Sequence, residues 1–151
     1  MLSRTHLAFG FLIGLYLIDF LNIKSQILFM LILLFFTIFP DIDESSSKIS
    51  KKTRPFSFIS NLTGHRSIFH TIYFPVAISL TFFMFKLKEL SIAALAGYLL
   101  HLVLDSTTKQ GIMLFYPISK KRFNGFIKVG SLTEKIIFII ILFLIVYKLI
   151  F

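Results

Sequence analysis

Cysteine is absent from the sequence, and this absence excludes two kinds of chemistry at once. The chain cannot form disulfide bonds, and it offers no thiolate to bind a metal ion. Any transition-metal ion would therefore have to be held by imidazole and carboxylate groups. The absence does not indicate a redox compartment.

Charged residues are also scarce, at 15% of 151 residues, whereas 56% are hydrophobic, 20 are phenylalanine and the mean hydropathy is +0.87. A soluble fold of this size could not bury so much apolar surface, but a lipid bilayer acts as a solvent for it. The composition therefore predicts a single integral membrane domain over residues 1–151.

Apolar runs predict the helices of that domain. They cover about residues 5–22, 26–40, 68–85, 90–105 and 134–151, with long polar loops at 41–67 and 106–133. No small-residue cleavage pattern follows the first run, so we expect a retained helix rather than a signal peptide. The expected fold is all-α, a polytopic transmembrane bundle of about five helices.

Lysine and arginine outnumber aspartate and glutamate by 16 to 7. With five spans, the N-terminus and both long loops share one side of the membrane, and that side carries 12 of the 16 cations. The positive-inside rule then places the long loops in the cytoplasm, for a multi-pass protein of the inner (cytoplasmic) membrane. Because the cations lie in loops between apolar runs, the expected partner is membrane lipid and not nucleic acid.

All four histidines and three of the four aspartates fall on that cytoplasmic side. Ionisable groups at a membrane edge are costly unless they are paired, hydrated or bound to a metal. We therefore predict a metal pocket at the cytoplasmic face, whose candidate ligands are His6, Asp41, Asp43, His65, His70, His101 and Asp105. The fourth aspartate, Asp19, lies toward the far end of the first helix and is expected to be interfacial.

The number and spacing of these ligands indicate the kind of site. Nitrogen and oxygen ligands suit zinc, manganese and iron. We expect zinc, with manganese or iron as alternatives. Seven are too many for one tetrahedral ion, so one or two divalent ions are expected, a pair being bridged by a carboxylate. His101 and Asp105 are four residues apart and project from one helix face. His6 to Asp41 and His70 to Asp105 are both separated by 35 residues, as in two hairpins that each open with histidine and close with aspartate.

Other interpretations stay open for individual residues. A histidine near a helix end often only forms a hydrogen bond at the interface, and His101 with Asp105 could be a structural pair. His6 and Asp43 could each serve as a base or an orienting group instead of a ligand. Arg66 is either a headgroup anchor or a phosphate ligand.

The same residues carry a resemblance to a known family. The segments concerned are 40–43 (PDID), 64–71 (GHRSIFHT) and 97–111 (GYLLHLVLDSTTKQG), together with His6 and Gly10. They resemble the PDxD, HRxxxH and HxxxDxxTxxG elements, and the early histidine followed by glycine, of the YdjM-like family of inner-membrane proteins. The resemblance extends to about Pro117, although the loop 44–63 has no histidine that could add a ligand.

That family is described as metal-dependent hydrolases, so the resemblance implies metal-dependent hydrolysis. A pocket at headgroup depth favours a phosphoester of a lipid or amphipathic substrate at the membrane interface. In this interpretation Asp43 and Arg66 are catalytic, and Arg66, Thr108 and Lys109 bind the substrate.

The alternative is a metal-binding transporter or sensor without hydrolytic activity. Polar residues are nearly absent from the central stretches 29–36 and 76–83. A transport pathway should have polar groups at the middle of the membrane, so this pattern favours the hydrolase. The substrate and the oligomeric state are not indicated by the sequence.

Overall fold

A computed structural model describes residues 1–41 and 69–151, and in these two ranges the chain forms five α-helices. In chain order they are α1 (Ser3–Leu21), α2 (Gln26–Ile38), α3 (Tyr73–Met84), α4 (Lys88–Ser106) and α5 (Leu132–Ile150). No strand longer than an isolated bridge occurs in the described residues. The prediction of an all-helical fold with about five helices is confirmed.

Two of the helices, α1 and α4, are long and apolar enough to cross a membrane. Each has 19 residues, which at 1.5 Å per residue spans most of a hydrocarbon core of about 30 Å. α2 with its following turn and α3 are apolar but shorter. A multi-pass topology remains a prediction.

α2 ends in a single 3-10 turn, Phe39–Asp41. Pro40 has no N–H and therefore cannot make the helical hydrogen bond to the carbonyl of Phe36. The α-helical pattern stops at this point, and the carbonyl of Thr37 becomes available to another partner. Asp41 is thereby placed at the end of α2.

α3 begins at Tyr73, later than the predicted start at residue 68. Pro75 explains the difference, because proline is tolerated in the first turn of a helix but disrupts its interior. A helix from residue 68 would have placed Pro75 in the third turn. His70 consequently lies in a turn before the helix rather than on it.

The core is built around α2 and α4. Phe29, Leu33 and Ala93 are fully buried between them, and Gly97 allows the close approach of the two backbones. A Cβ atom at Gly97 would lie 2.2 Å from the carbonyl oxygen of Leu33. Any larger residue would force α4 away from α2.

The other helices pack around this pair. α1 contacts α2 and α4, α3 contacts α4, and α5 contacts α1 through Ala8, Leu12 and Ile141. This arrangement brings the start of α1, the end of α2 and the end of α4 together. We call this the cluster end, and we call the end near the α1–α2 and α3–α4 turns the opposite end.

The α4–α5 connection, residues 107–131, corresponds to the polar loop predicted at 106–133, and hydrogen bonds order its backbone. Ile112 and Phe123 exchange both backbone hydrogen bonds (2.9 and 2.8 Å), and Lys109 N donates to Ile127 O at 2.8 Å. Gly111 has a φ of +59°, and a Cβ there would lie 2.3 Å from Phe123 O. The connection is a compact platform at the cluster end.

Candidate metal centre

Four side chains with metal-binding groups meet at the cluster end: Asp41, His70, His101 and Asp105. Asp41 lies at the end of α2 and His70 lies in the turn before α3. The other two lie four residues apart on α4 and therefore share a face. One ligand atom from each lies within 4.8 Å of the others, and the two histidines and Asp105 are buried. The prediction of a His/Asp group that could bind a metal ion is confirmed.

Asp105 is the central carboxylate of the group and is 4% exposed. Its Oδ2 lies 3.6 Å from Nε2 of His101 and 3.7 Å from Nε2 of His70. Nε2 of His101 lies 3.4 Å from Nε2 of His70 and 3.8 Å from Oδ1 of Asp41. One imidazole nitrogen, Nε2 of His101, is thus close to every other member of the group.

The backbone fixes which nitrogen of His101 faces the group. Nδ1 of His101 lies 2.9 Å from the carbonyl oxygen of Thr37, and a carbonyl can only accept, so Nδ1 carries the proton. In the neutral ring Nε2 then has a lone pair directed at the carboxylates. Metal-binding histidines are typically held by such a bond from their other nitrogen.

His6, in the first turns of α1, joins the group from the other side of Asp105. Its Nε2 lies 3.3 Å from Oδ1 of Asp105, an oxygen that the amino group of Met1 also contacts. Its ring stacks on His101 with centroids 4.3 Å apart, and its Nδ1 lies 3.2 Å from the carbonyl of Leu2. Nε2 is fully buried and makes no hydrogen bond within the described residues, so it too presents a lone pair to the site.

The geometry and the ligand types both fit a divalent ion. A tetrahedral ion with bonds of about 2.0–2.2 Å separates its ligand atoms by roughly 3.3–3.6 Å, and the pairs centred on His101 are separated by 3.4–3.8 Å. Imidazole and carboxylate together suit zinc, manganese and iron. The buried Nε2 of His6 faces Oδ1 of Asp105, an arrangement suited to a proton or a cation shared between the two groups.

Glu134, in the first turn of α5, is a buried carboxylate that the sequence interpretation missed. It is 1% exposed, and it accepts hydrogen bonds from Leu2 N (2.7 Å), Thr5 Oγ1 (3.1 Å) and Gly130 N (2.6 Å). Ser131 followed by Glu134 is the pattern of a helix capping box, and that pattern could have identified it. Its bonds attach the start of α1, and with it His6, to α5.

The remaining predicted site residues have different outcomes. Asp43, His65 and Arg66 lie outside the described residues, so their predicted roles are untested. Thr108 is 2% exposed, and its hydroxyl donates to Asp105 O at 2.8 Å and accepts from Gly111 N. Lys109 is exposed beside it. Their roles in substrate binding remain predictions.

Comparison with known proteins identifies a family and a relative of this chain. A family model described as YdjM inner membrane protein matches residues 1–150. The uncharacterized protein YvsG of Bacillus subtilis (strain 168) is 32% identical over 101 residues, which cover 65% of this chain and 63% of that relative. The match therefore spans less than two thirds of the relative's length. No solved structure matches the chain.

Proposed function

This chain belongs to the YdjM inner membrane protein family, and we propose that it is a membrane-embedded, metal-dependent hydrolase. Its substrate would be a phosphoester of a lipid or other amphipathic molecule at the membrane interface. The observation that supports this best is the group formed by Asp41, His70, His101 and Asp105, whose ligand atoms lie within 4.8 Å of one another. A buried group of this composition fits a catalytic metal better than a structural salt bridge.

The protein's own residues would hold and orient this centre. His101 is fixed by Thr37 O and presents Nε2, while Asp105 presents Oδ2 to two histidines and Oδ1 to His6. Asp105 would be a ligand through Oδ2, which faces His70 and His101, since the amino group of Met1 contacts Oδ1. We propose one or two ions, with zinc first and manganese or iron as alternatives. The chemistry that such ions supply is Lewis acidity, which activates water and polarises a phosphoryl oxygen.

Asp41 marks the side from which a substrate would approach. Its side chain is 16% exposed, compared with 6% or less for His70, His101 and Asp105. At the rim, Ser3 Oγ donates to Asp41 Oδ2 at 3.4 Å. We propose that the substrate's phosphate enters here. Its charge would be met by Arg66 and Lys109, and Asp43 or His6 would accept a proton from water. Thr108 would support this rim from below, because its buried hydroxyl already donates to Asp105 O.

A lipid substrate is favoured because the cluster lies at the ends of apolar helices. α1 and α4 both have the length and composition of membrane spans, and their cluster ends carry His6 and Asp105. A lipid could therefore present its phosphate without leaving the bilayer. A soluble phosphoester would gain no binding energy from the apolar surface around the site.

The test is turnover of phospholipids and isoprenoid phosphates by the purified protein reconstituted in lipid, with and without divalent metal. We expect activity only with metal present, and chelation should abolish it. Asp41→Asn should lower the rate at least about 100-fold, as loss of a ligand or an oriented water does. Asp19→Asn is the matched control at the opposite end, and it should retain the rate.

A negative result would be equally informative. If the protein binds stoichiometric metal but turns over no lipid or soluble phosphoester above a metal-free control, the hydrolase proposal is wrong. The cluster would then fit a metal-binding transporter or sensor.

A further inference from the structure

We propose that the α4–α5 connection (residues 107–131) is a binding surface for anionic lipid headgroups. This stretch contains five cations and no aspartate or glutamate. All five are exposed: Lys109, Lys120, Lys121, Arg122 and Lys128. A folded segment with one sign of charge attracts the opposite sign, and lysine or arginine near an anionic membrane contributes about a fivefold preference each.

Exposed apolar side chains are interleaved with these cations. Ile118 is 82% exposed and Phe126 is 79% exposed, and Leu132, at the start of α5, is 72% exposed. Large apolar groups in water are unfavourable, and a surface that combines them with lysines is typical of segments that lie in the headgroup region. Nucleic acid would satisfy the charge but would leave Ile118 and Phe126 in water.

The surface is held in place before any lipid arrives. The Ile112–Phe123 pair and the Lys109–Ile127 bond fix its backbone, and Gly125 N donates to Thr108 O at 3.0 Å. A preformed surface loses little conformational freedom when it binds. The backbone that carries the exposed side chains is therefore ordered without support from a partner.

The position of the α4–α5 connection in the fold favours a lipid bilayer over a protein as its partner. The connection begins directly after α4, which has the length and composition of a membrane span, and a segment that directly follows a span lies at the membrane surface. It also touches the cluster, since Ile72 N, two residues after His70, donates to Leu114 O at 3.0 Å. A headgroup bound here would lie next to the metal centre, but the inference concerns binding and does not require hydrolysis.

Tryptophan is absent from the sequence, so Phe126→Trp introduces a single fluorescent reporter on this surface. The variant is reconstituted in phosphatidylcholine membranes that also contain phosphatidylglycerol, with bromine on one lipid or the other. We expect quenching by both lipids, and stronger quenching by brominated phosphatidylglycerol because that lipid is enriched at the surface.

Charge removal separates this surface from the rest of the protein. In the Phe126→Trp background, Lys120→Gln, Lys121→Gln and Lys128→Gln together should reduce the preference for phosphatidylglycerol at least about tenfold. The matched control removes three exposed lysines at the opposite end, by Lys24→Gln, Lys86→Gln and Lys88→Gln, and should leave the preference unchanged. Far-ultraviolet circular dichroism verifies that both variants keep their helices.

Two results would overturn the inference. Quenching of the Phe126→Trp reporter by aqueous acrylamide but by neither lipid would place the surface in water or against a protein. Equal quenching by the two brominated lipids, or an equal loss in both lysine variants, would show that these cations do not select anionic headgroups.

Discussion

The two ends of the helical bundle treat their ionisable groups in opposite ways. At the opposite end, each acid has its own partner: Asp19, whose side chain is 62% exposed, pairs with Lys148 Nζ at 2.5 Å. Glu89 accepts from the backbone N–H groups of Lys24 and Ser25, at 3.1 Å each. At the cluster end, the Asp105 carboxylate is instead shared among three imidazoles and the amino group of Met1.

This difference separates structural pairs from a candidate functional site. An exposed acid–lysine pair neutralises itself and needs nothing else, and it contributes little to stability. At the cluster end the amino group of Met1 contacts Oδ1 of Asp105, whereas Oδ2 lies between the imidazoles of His70 and His101. Neutral imidazoles do not neutralise a buried carboxylate, so this position is suited to a metal ion. Both ends contain acids, but the cluster end is the one arranged to receive a positively charged ligand.

The largest effect we expect is an all-or-none difference in accessibility between the two ends. The chain has no native cysteine, so Lys121→Cys and Lys24→Cys are each labelled at one position. In right-side-out membranes, an impermeant maleimide should label Lys24→Cys, and Lys121→Cys should react only after permeabilisation. The reason is the 12-to-4 distribution of cations, which predicts a cytoplasmic cluster end. The reverse pattern would invert the topology, and labelling of both would rule out an odd number of spans between them.

The next largest effect is the loss of bound metal when the cluster end is altered, compared with no loss when the opposite end is altered. His101→Ala combined with Asp105→Ala removes the nitrogen nearest all other members and the central carboxylate. We expect elemental analysis of the detergent-purified variant to show essentially no zinc, manganese or iron, against one or two ions per chain in the unmodified protein.

The matched control for this variant is Asp19→Ala combined with Lys148→Ala. It also removes an acid and its partner but leaves the cluster intact, and it should keep the full metal content. Equal metal loss in both variants, or full metal content in a folded cluster variant, would remove the distinction between the two ends.

The sequence was sufficient to predict the parts of the site that depend on helical spacing. His101 and Asp105 share a face because four residues make about one turn. The position of Asp41 at the end of α2 was predictable because Pro40 ends that helix. The convergence of these residues follows from the alternation of apolar runs, since every second run ends on the same side. Helical spacing, the position of Pro40 and the alternation of apolar runs were together enough to predict that these residues meet.

The rest could not be predicted, because it depends on contacts between distant parts of the chain. Glu134 has a readable capping pattern with Ser131, but its partners Leu2 and Thr5 are more than 120 residues away. The α4–α5 connection looks like a polar loop because its ordering comes from backbone bonds, which the sequence does not display.

The smallest effect distinguishes two glutamates that make similar bonds at the two ends. Glu134→Gln keeps the size of the side chain but turns one acceptor into a donor that faces Gly130 N or Leu2 N, and it should cost about 2 kcal/mol of stability. Glu89→Gln has the same effect on Lys24 N and Ser25 N, but it is partly exposed and should cost about 1 kcal/mol. Thermal unfolding of the two variants in the same detergent measures this difference.

Metal affinity is the sharper measurement, because Glu134 holds Leu2, and the carbonyl of Leu2 accepts a hydrogen bond from Nδ1 of His6. Glu134→Gln should therefore weaken metal binding by up to about tenfold through the orientation of His6, whereas Glu89→Gln should leave it unchanged. If both substitutions lower metal affinity in proportion to their loss of stability, Glu134 supports only the fold, and the cluster does not depend on the attachment of α1 to α5.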